Sequence, residues 1–255
     1  MSIPRTKSLG RAVDLLRACA SRPDGTSASE LARVSGLPRS TVARTLRTLA
    51  DDGFVEEAED GAGWMLGYEL VRLARAADPY RRVVEAAQPA LVRLRDVAEE
   101  SALLAVPRGR PGMEIVLQVD ARRQVGVANW VGTDVPLHAS AAGKVILSQL
   151  REDELDEWLG SRPLAAFTES TITDAGVLRA ELARIRRQDW AELVDELEQG
   201  LGSMAVPVRR ETGALAGAIG ISGPTFRLGK TKRRDLVPVL QAAAHEIERA
   251  LRPSA

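Results

Sequence analysis

The sequence predicts an α+β chain in two parts: a winged helix-turn-helix over residues 1–67, then, beyond a linker helix over 68–79, a mixed domain over 80–255. Three observations predict it. Two amphipathic segments meet at a short glycine-containing turn and are followed by a hairpin pattern. Asp78-Pro79 breaks a helical stretch. Beyond that break, strand-like and helix-like segments interleave with hairpin-like neighbours, which suits an antiparallel-rich sheet with helices packed on it. A length of 255 residues fits two modest domains.

The elements follow from local chemistry. Leu9, Ala12, Val13, Leu16 and Cys19 recur at helical spacing until Arg22-Pro-Asp-Gly25 ends the helix. Ser27 or Ser29 suits the N-cap of a helix over Ala28–Val34, with Glu30 in its first turn. Gly36 suits a positive φ at that helix's end, and Pro38 the first position of the next, which runs to about Ala50. Phe54-Val55 and Trp64-Met65-Leu66 flank an acidic, glycine-rich tip. Helices are expected over Tyr68–Ala77, Val83–Glu100 (with Pro89 inside), Ser140–Leu150, Glu152–Leu159, Asp174–Arg187 capped by Thr173, and Leu236–Leu251. Strands are expected over Leu103–Val106, Glu114–Val119, Gln124–Trp130, Ser203–Val208 and Ala214–Ser222. Arg209-Arg210 and Lys230–Arg234 read as solvated turns, and Cys19 as an inert core residue.

Overall charge balances, with 35 basic and 35 acidic side chains, but its distribution does not. Residues 1–50 hold nine Lys/Arg against three acids, and residues 51–60 hold six acids and no base. In the second helix Arg39, Ser40, Thr41, Arg44 and Arg47 lie off the apolar face of Val42, Leu46 and Leu49, with no acid before Asp51. Such a helix can place arginine against guanine, hydroxyls against phosphates or bases, and its N-terminal N–H groups against phosphate. Arg5 and Lys7 form a basic arm ahead of it. Glu56, Glu57, Glu59 and Asp60 would meet phosphate unfavourably, so the hairpin tip is not expected on the backbone. The competing reading is a helical hairpin with a solvated arginine face.

In the second part, Ser140-Ala-Ala-Gly-Lys144 opens a helix with small residues. Small side chains let a carboxylate approach the N–H groups of Ala141, Ala142 and Gly143; close packing on the sheet explains them equally. His138 reads as a structural hydrogen-bonder, and Trp130 as packing or a platform for an aromatic ligand. Two histidines and one cysteine supply a His/Cys metal site poorly, and no nucleophile elbow precedes a helix. No cofactor, metal or catalytic residue is assigned. An enzyme, or a DNA-binding protein whose second domain only oligomerises, remains the alternative. No apolar run approaches a membrane span. Arg11, Asp14 and Arg17 interrupt the apolar face of the first helix, so it does not read as a signal peptide, and cytoplasm is the expected compartment.

Ala28–Gly53, Pro136–Leu147 (PLHASAAGKVIL), Thr171–Arg187 and Glu198–Pro224, in this order, resemble the IclR family of bacterial transcriptional regulators. The resemblance implies a winged helix followed by a GAF-like effector-binding domain. It implies a homodimer or dimer of dimers on a palindromic double-stranded DNA operator, repressing or activating a catabolic operon. It further implies a pocket for a small organic acid. By position, Ala141, Ala142 and Gly143 would supply backbone contacts, Ser203 and Ser222 hydrogen bonds, and Val127 an apolar wall. Many members carry Cys where Ser203 stands and Ser where Gly220 stands. An Asp-Asp-Glu-Glu run common in the family is here Leu193-Val194-Asp195-Glu196, leaving Asp195 or Glu196 as acceptors for a ligand hydroxyl. The Leu-Val-Asp-Glu-Leu-Glu-x-Gly-Leu-x-Ser form resembles the branch regulating aromatic-acid catabolism, which implies an aromatic or β-keto acid ligand.

Overall fold

The computed structural model describes residues 7–22, 25–58, 63–77, 79–109, 112–161 and 163–252. They fall into two compact units, divided between Pro79 and Tyr80.

The first unit contains helices α1 (Lys7–Ala20), α2 (Ala28–Ser35) and α3 (Arg39–Asp51), strands β1 (Val55–Glu57) and β2 (Trp64–Leu66), and helix α4 (Tyr68–Ala77). Ser27 caps α2, its hydroxyl accepting from Glu30 N–H at 3.2 Å. Gly36 ends α2 in the left-handed region at φ 66°. Pro38 stands one residue earlier than the sequence implied, at the N-cap of α3, and its carbonyl accepts from Thr41 and Val42 N–H. Leu15, Cys19, Leu31, Ala32, Val42, Leu46 and Val55 form one core where the three helices and the hairpin meet. Ala32 lets α2 approach closely; Leu37 and Trp64 close the rim. β1 and β2 pair antiparallel, Val55 opposite Leu66, and Thr26 bridges to Trp64. This is a helix-turn-helix with a following wing.

The second unit contains α5 (Arg81–Ala98), β3 (Ser101–Pro107), β4 (Met113–Val119), α6 (Ala141–Ser148), α7 (Glu152–Ser161), α8 (Ala175–Gln188), β5 (Ala191–Val194), β6 (Leu201–Arg209), β7 (Leu215–Pro224) and α9 (Lys230–Ala250). The sheet has order β4-β3-β7-β6-β5, antiparallel throughout. Its period of two separates two cores. Leu103, Ala105, Leu201 and Ala205 face α6, α7 and α8, whereas Leu104, Val106, Met204, Val206 and Val208 face α5 and α9.

Several expectations are corrected. Gln124–Trp130 is not a strand; Val125 is 62% exposed, so the apparent alternation has no core to face. That segment is held to β4 by side-chain bonds instead, Gln118 accepting from Trp130 N–H and donating to the Ala128 carbonyl. Asp174, not Thr173, caps α8, accepting from Val177 N–H at 2.8 Å. Lys230–Arg234 opens α9 rather than forming a turn, and Arg233 is buried against Glu192 and the Leu228 carbonyl. Arg209 ends β6 and chelates Asp189 at 2.5 and 2.7 Å. No helix among the described residues is long and apolar enough to cross a membrane.

Candidate functional sites: a recognition helix and a cavity beside the sheet

The first site is the outer face of α3. Burial of Val42 and Leu46 fixes the helix's rotation, which leaves Arg39, Ser40, Arg44 and Arg47 exposed and Thr41 half-buried. Thr45 and Thr48 spend their hydroxyls on the carbonyls of Thr41 and Arg44. Among the described residues, Arg39, Arg44 and Arg47 have no carboxylate partner, whereas Arg33 on α2 is tied to Glu30 at 2.7 Å. The cations of α3 are therefore free for an external anion. Pro38 caps α3 without a side-chain bond, leaving the first-turn N–H groups of Arg39 and Ser40 open, a favourable position for phosphate. Glu56 and Glu57 are exposed on β1. Arg5, Glu59 and Asp60 lie outside the described residues, as does the Lys7 side chain at the start of α1.

The second site is a cavity between the sheet and the start of α6. Leu103, Met113, Ile115, Val135, Leu193, Leu197 and Leu201 make it apolar, and Trp130 closes one side. Three serines supply its polarity. Ser203 and Ser222 are register partners on β6 and β7, in line with Leu193 on β5. Ser140 caps α6.

Their hydroxyls differ in what they have left to give. Ser140 Oγ accepts from Gly143 N–H at 3.2 Å, so its proton remains available. Ser203 Oγ donates to the Ile221 carbonyl at 3.1 Å, so only its lone pairs remain. Ser222 is 4% exposed, and its hydroxyl has no intramolecular partner among the described residues. Ala141 and Ala142 bring first-turn N–H groups that a helix leaves unpaired. The free space is about 30 Å³, on the scale of one ordered water.

Ala141, Ala142, Ser203 and Ser222 thus come together as expected from the sequence. The other candidates do not join them. Gly143 gives its N–H to Ser140 and packs against Leu137; a Cβ there would lie 2.4 Å from the Leu137 Cα and carbonyl oxygen. Val127 lines a neighbouring surface hollow with Trp130 and Leu201. Asp195, at φ 58°, accepts from Gly200 N–H at 2.6 Å. Glu196 is paired with Lys144. Sequence reasoning missed Ser140 and Leu193 as lining residues. The N-cap position of Ser140 before a small-residue helix was a usable signal. Leu193 emerged only with β5. His138 is buried beside the Ala165 carbonyl at 2.9 Å, a structural contact.

Comparisons with known proteins converge on one family. Residues 8–59 match the IclR helix-turn-helix domain, and residues 79–249 match the bacterial transcriptional regulator IclR C-terminal domain. The HTH-type transcriptional regulator BhcR of Paracoccus denitrificans is 30% identical over 247 residues, covering 97% of this chain and 88% of its own length. The Pca regulon regulatory protein of Pseudomonas putida is 28% identical over 241 residues, covering 94% and 82%. An IclR homolog from Microbacterium hydrocarbonoxydans, solved in complex with 4-hydroxybenzoate, superposes with a TM-score of 0.85 at 27% identity, covering 97% of this chain and all of that one. The first two of these relatives are named as regulators, of transcription and of a regulon. The chain belongs to the IclR family of bacterial transcriptional regulators.

Proposed function

We propose that the chain is an acid-responsive regulator whose operator binding is set by a small monocarboxylic acid, aromatic in class, held in the α6 cavity. The observation that carries this reading is the pairing of two open N–H groups and the hydroxyls of Ser140 and Ser222 with an otherwise apolar wall. The carboxylate would meet Ala141 and Ala142 N–H and the protons of Ser140 and Ser222, where the α6 N-terminus favours negative charge. The apolar remainder would lie among Leu103, Met113, Ile115 and Leu193. Leucine at 193, in place of the family's common aspartate, favours a ring over a small hydroxy or keto acid. The 4-hydroxybenzoate held by the Microbacterium homolog supports the same class.

At about 30 Å³ the cavity is too small for a ring, so side chains must move before one enters. The intrinsic affinity is then reduced by the fraction of open molecules. On DNA, α3 of each protomer of a dimer would enter the major groove, with Arg39, Ser40, Thr41 and Arg44 at bases or phosphates and Arg47, Arg5 and Lys7 on phosphates, over a palindromic operator. Isothermal titration of the full chain with benzoate, 4-hydroxybenzoate, pyruvate and succinate tests the acid reading. Saturable binding of an aromatic monoacid, and weaker or no binding of the other two, is the expected result. Heat of binding from none of the four would leave the second unit as an oligomerisation domain.

A further inference from the structure

An ion pair joins the two walls of the cavity. Lys144, one turn into α6, is fully buried, and its Nζ donates to Glu196 Oε1 at 2.5 Å. Glu196 is 8% exposed, and its Oε2 is buried with no hydrogen-bond partner. Glu196 lies in the turn between β5 and β6, which the Thr168 and Thr171 hydroxyls pin by donating to the carbonyls of Asp195 and Glu196 at 2.5 and 2.6 Å. The same turn delivers Leu197 and Leu201 to the cavity, while the turn of α6 before Lys144 delivers Ser140, Ala141 and Ala142. Lys144 and Glu196 therefore tie together two of the elements that line the cavity, the start of α6 and the 195–200 turn.

Stability is a poor reason for this pair. Burial pushes the Glu196 carboxyl above its ordinary range; Lys144 and His138 pull it back, and Glu181 adds to the rise. A carboxyl raised in the folded state binds protons more tightly there than in the unfolded chain. It lowers stability at pH above its folded value, and that loss is relieved as pH falls through it. A buried ion pair with an unsatisfied oxygen is commonly matched or bettered by an apolar pair of similar volume. What an apolar pair lacks is a directed bond between two particular atoms.

We propose that Lys144 and Glu196 are positioning residues that latch the α6 wall to the 195–200 turn and hold the cavity closed, so that an entering acid must release them. The last clause rests on the acid reading above; the latch itself does not. The test uses the full chain carrying Ser203→Cys, labelled by methyl methanethiosulfonate. Peptide mapping separates position 203 from Cys19. Three chains are compared: this parent, the same with Glu196→Gln, and the same with Lys144→Met and Glu196→Leu together.

The latch predicts that Glu196→Gln speeds labelling at 203 by roughly tenfold or more, as expected when a local opening becomes easier. It predicts that the Met/Leu pair also labels fast while melting no earlier than the parent. The Glu-to-Gln rate difference should shrink as pH falls, because protonated Glu196 resembles glutamine. Labelling that rises only in variants that melt earlier, or stays at the parent rate in both, overturns the latch. Protection of position 203 by 4-hydroxybenzoate is read separately: its absence counts against the acid reading and leaves the unliganded rates to decide the latch.

Discussion

Ser222→Ala separates binding from folding more cleanly than any other change to the cavity. Ser222 is 4% exposed and its hydroxyl has no internal partner among the described residues, so the fold gains nothing from it. A hydroxyl that faces the cavity and makes no intramolecular bond among the described residues can be removed with little change in stability. With a carboxylate in the cavity the same hydroxyl would donate to a charged acceptor, a bond whose net value is about 1.5–3 kcal/mol. At 1.4 kcal/mol per decade, acid affinity should fall roughly 10- to 150-fold. Ser203→Ala serves as the contrast. Its hydroxyl already donates to the Ile221 carbonyl, so its loss should weaken acid binding far less and tell mainly on stability. The assay is isothermal titration of both variants with the best-binding aromatic acid, beside thermal melts. Ser222→Ala binding within twofold of wild type would refute the assignment of its proton to the ligand.

Other perturbations follow from the same geometry. Arg44→Ala, exposed and without an ion-pair partner among the described residues, should weaken operator binding by about 1–3 kcal/mol and flatten its salt dependence, with unchanged circular dichroism. Leu46→Ala, at 0% exposure in the first core, should destabilise that unit by roughly 2–5 kcal/mol and abolish DNA binding, as denaturant titration beside anisotropy would show. Gly143→Ala would place a Cβ 2.4 Å from the Leu137 backbone, and should lower the second unit's melting temperature by roughly 2–12 °C. Cys19 is buried, and burial pushes its thiol up, so it should resist iodoacetamide until denaturant is added.

The helix-turn-helix was legible in the sequence because its determinants are local. Ser27 as a cap, Gly36 at positive φ and Val42 with Leu46 on one face each depend on neighbours a few residues away. The cavity was legible only in part because its walls are assembled across the chain. Ala141 and Ala142 were marked by the small-residue run. Leu103, Met113 and Leu193 carry no local sign of sharing a wall with them. The latch joins residues 52 apart in sequence, and neither shows its burial to a periodicity argument. Gln124–Trp130 misled because alternation implies a strand only where one face is buried. Arg233 misled because a charged residue at the start of α9 is buried by pairing with Glu192. Asp195 and Glu196 were candidates by their place in the family's acidic run; one oxygen of each is engaged within the chain, by Gly200 N–H and by Lys144.

One acid, bound in the α6 cavity, is expected to change the affinity of α3 for DNA. The measurement that tests it most directly is fluorescence anisotropy of the full chain on DNA from upstream of its own gene, at two salt concentrations, with and without the aromatic acid that binds best. The expected result is specific, salt-sensitive binding that saturating acid shifts about 5- to 150-fold, the range of a typical coupling energy, with Ser222→Ala moving the acid midpoint but not the acid-free DNA affinity. Specific DNA binding that the same saturating acid leaves unmoved would contradict it.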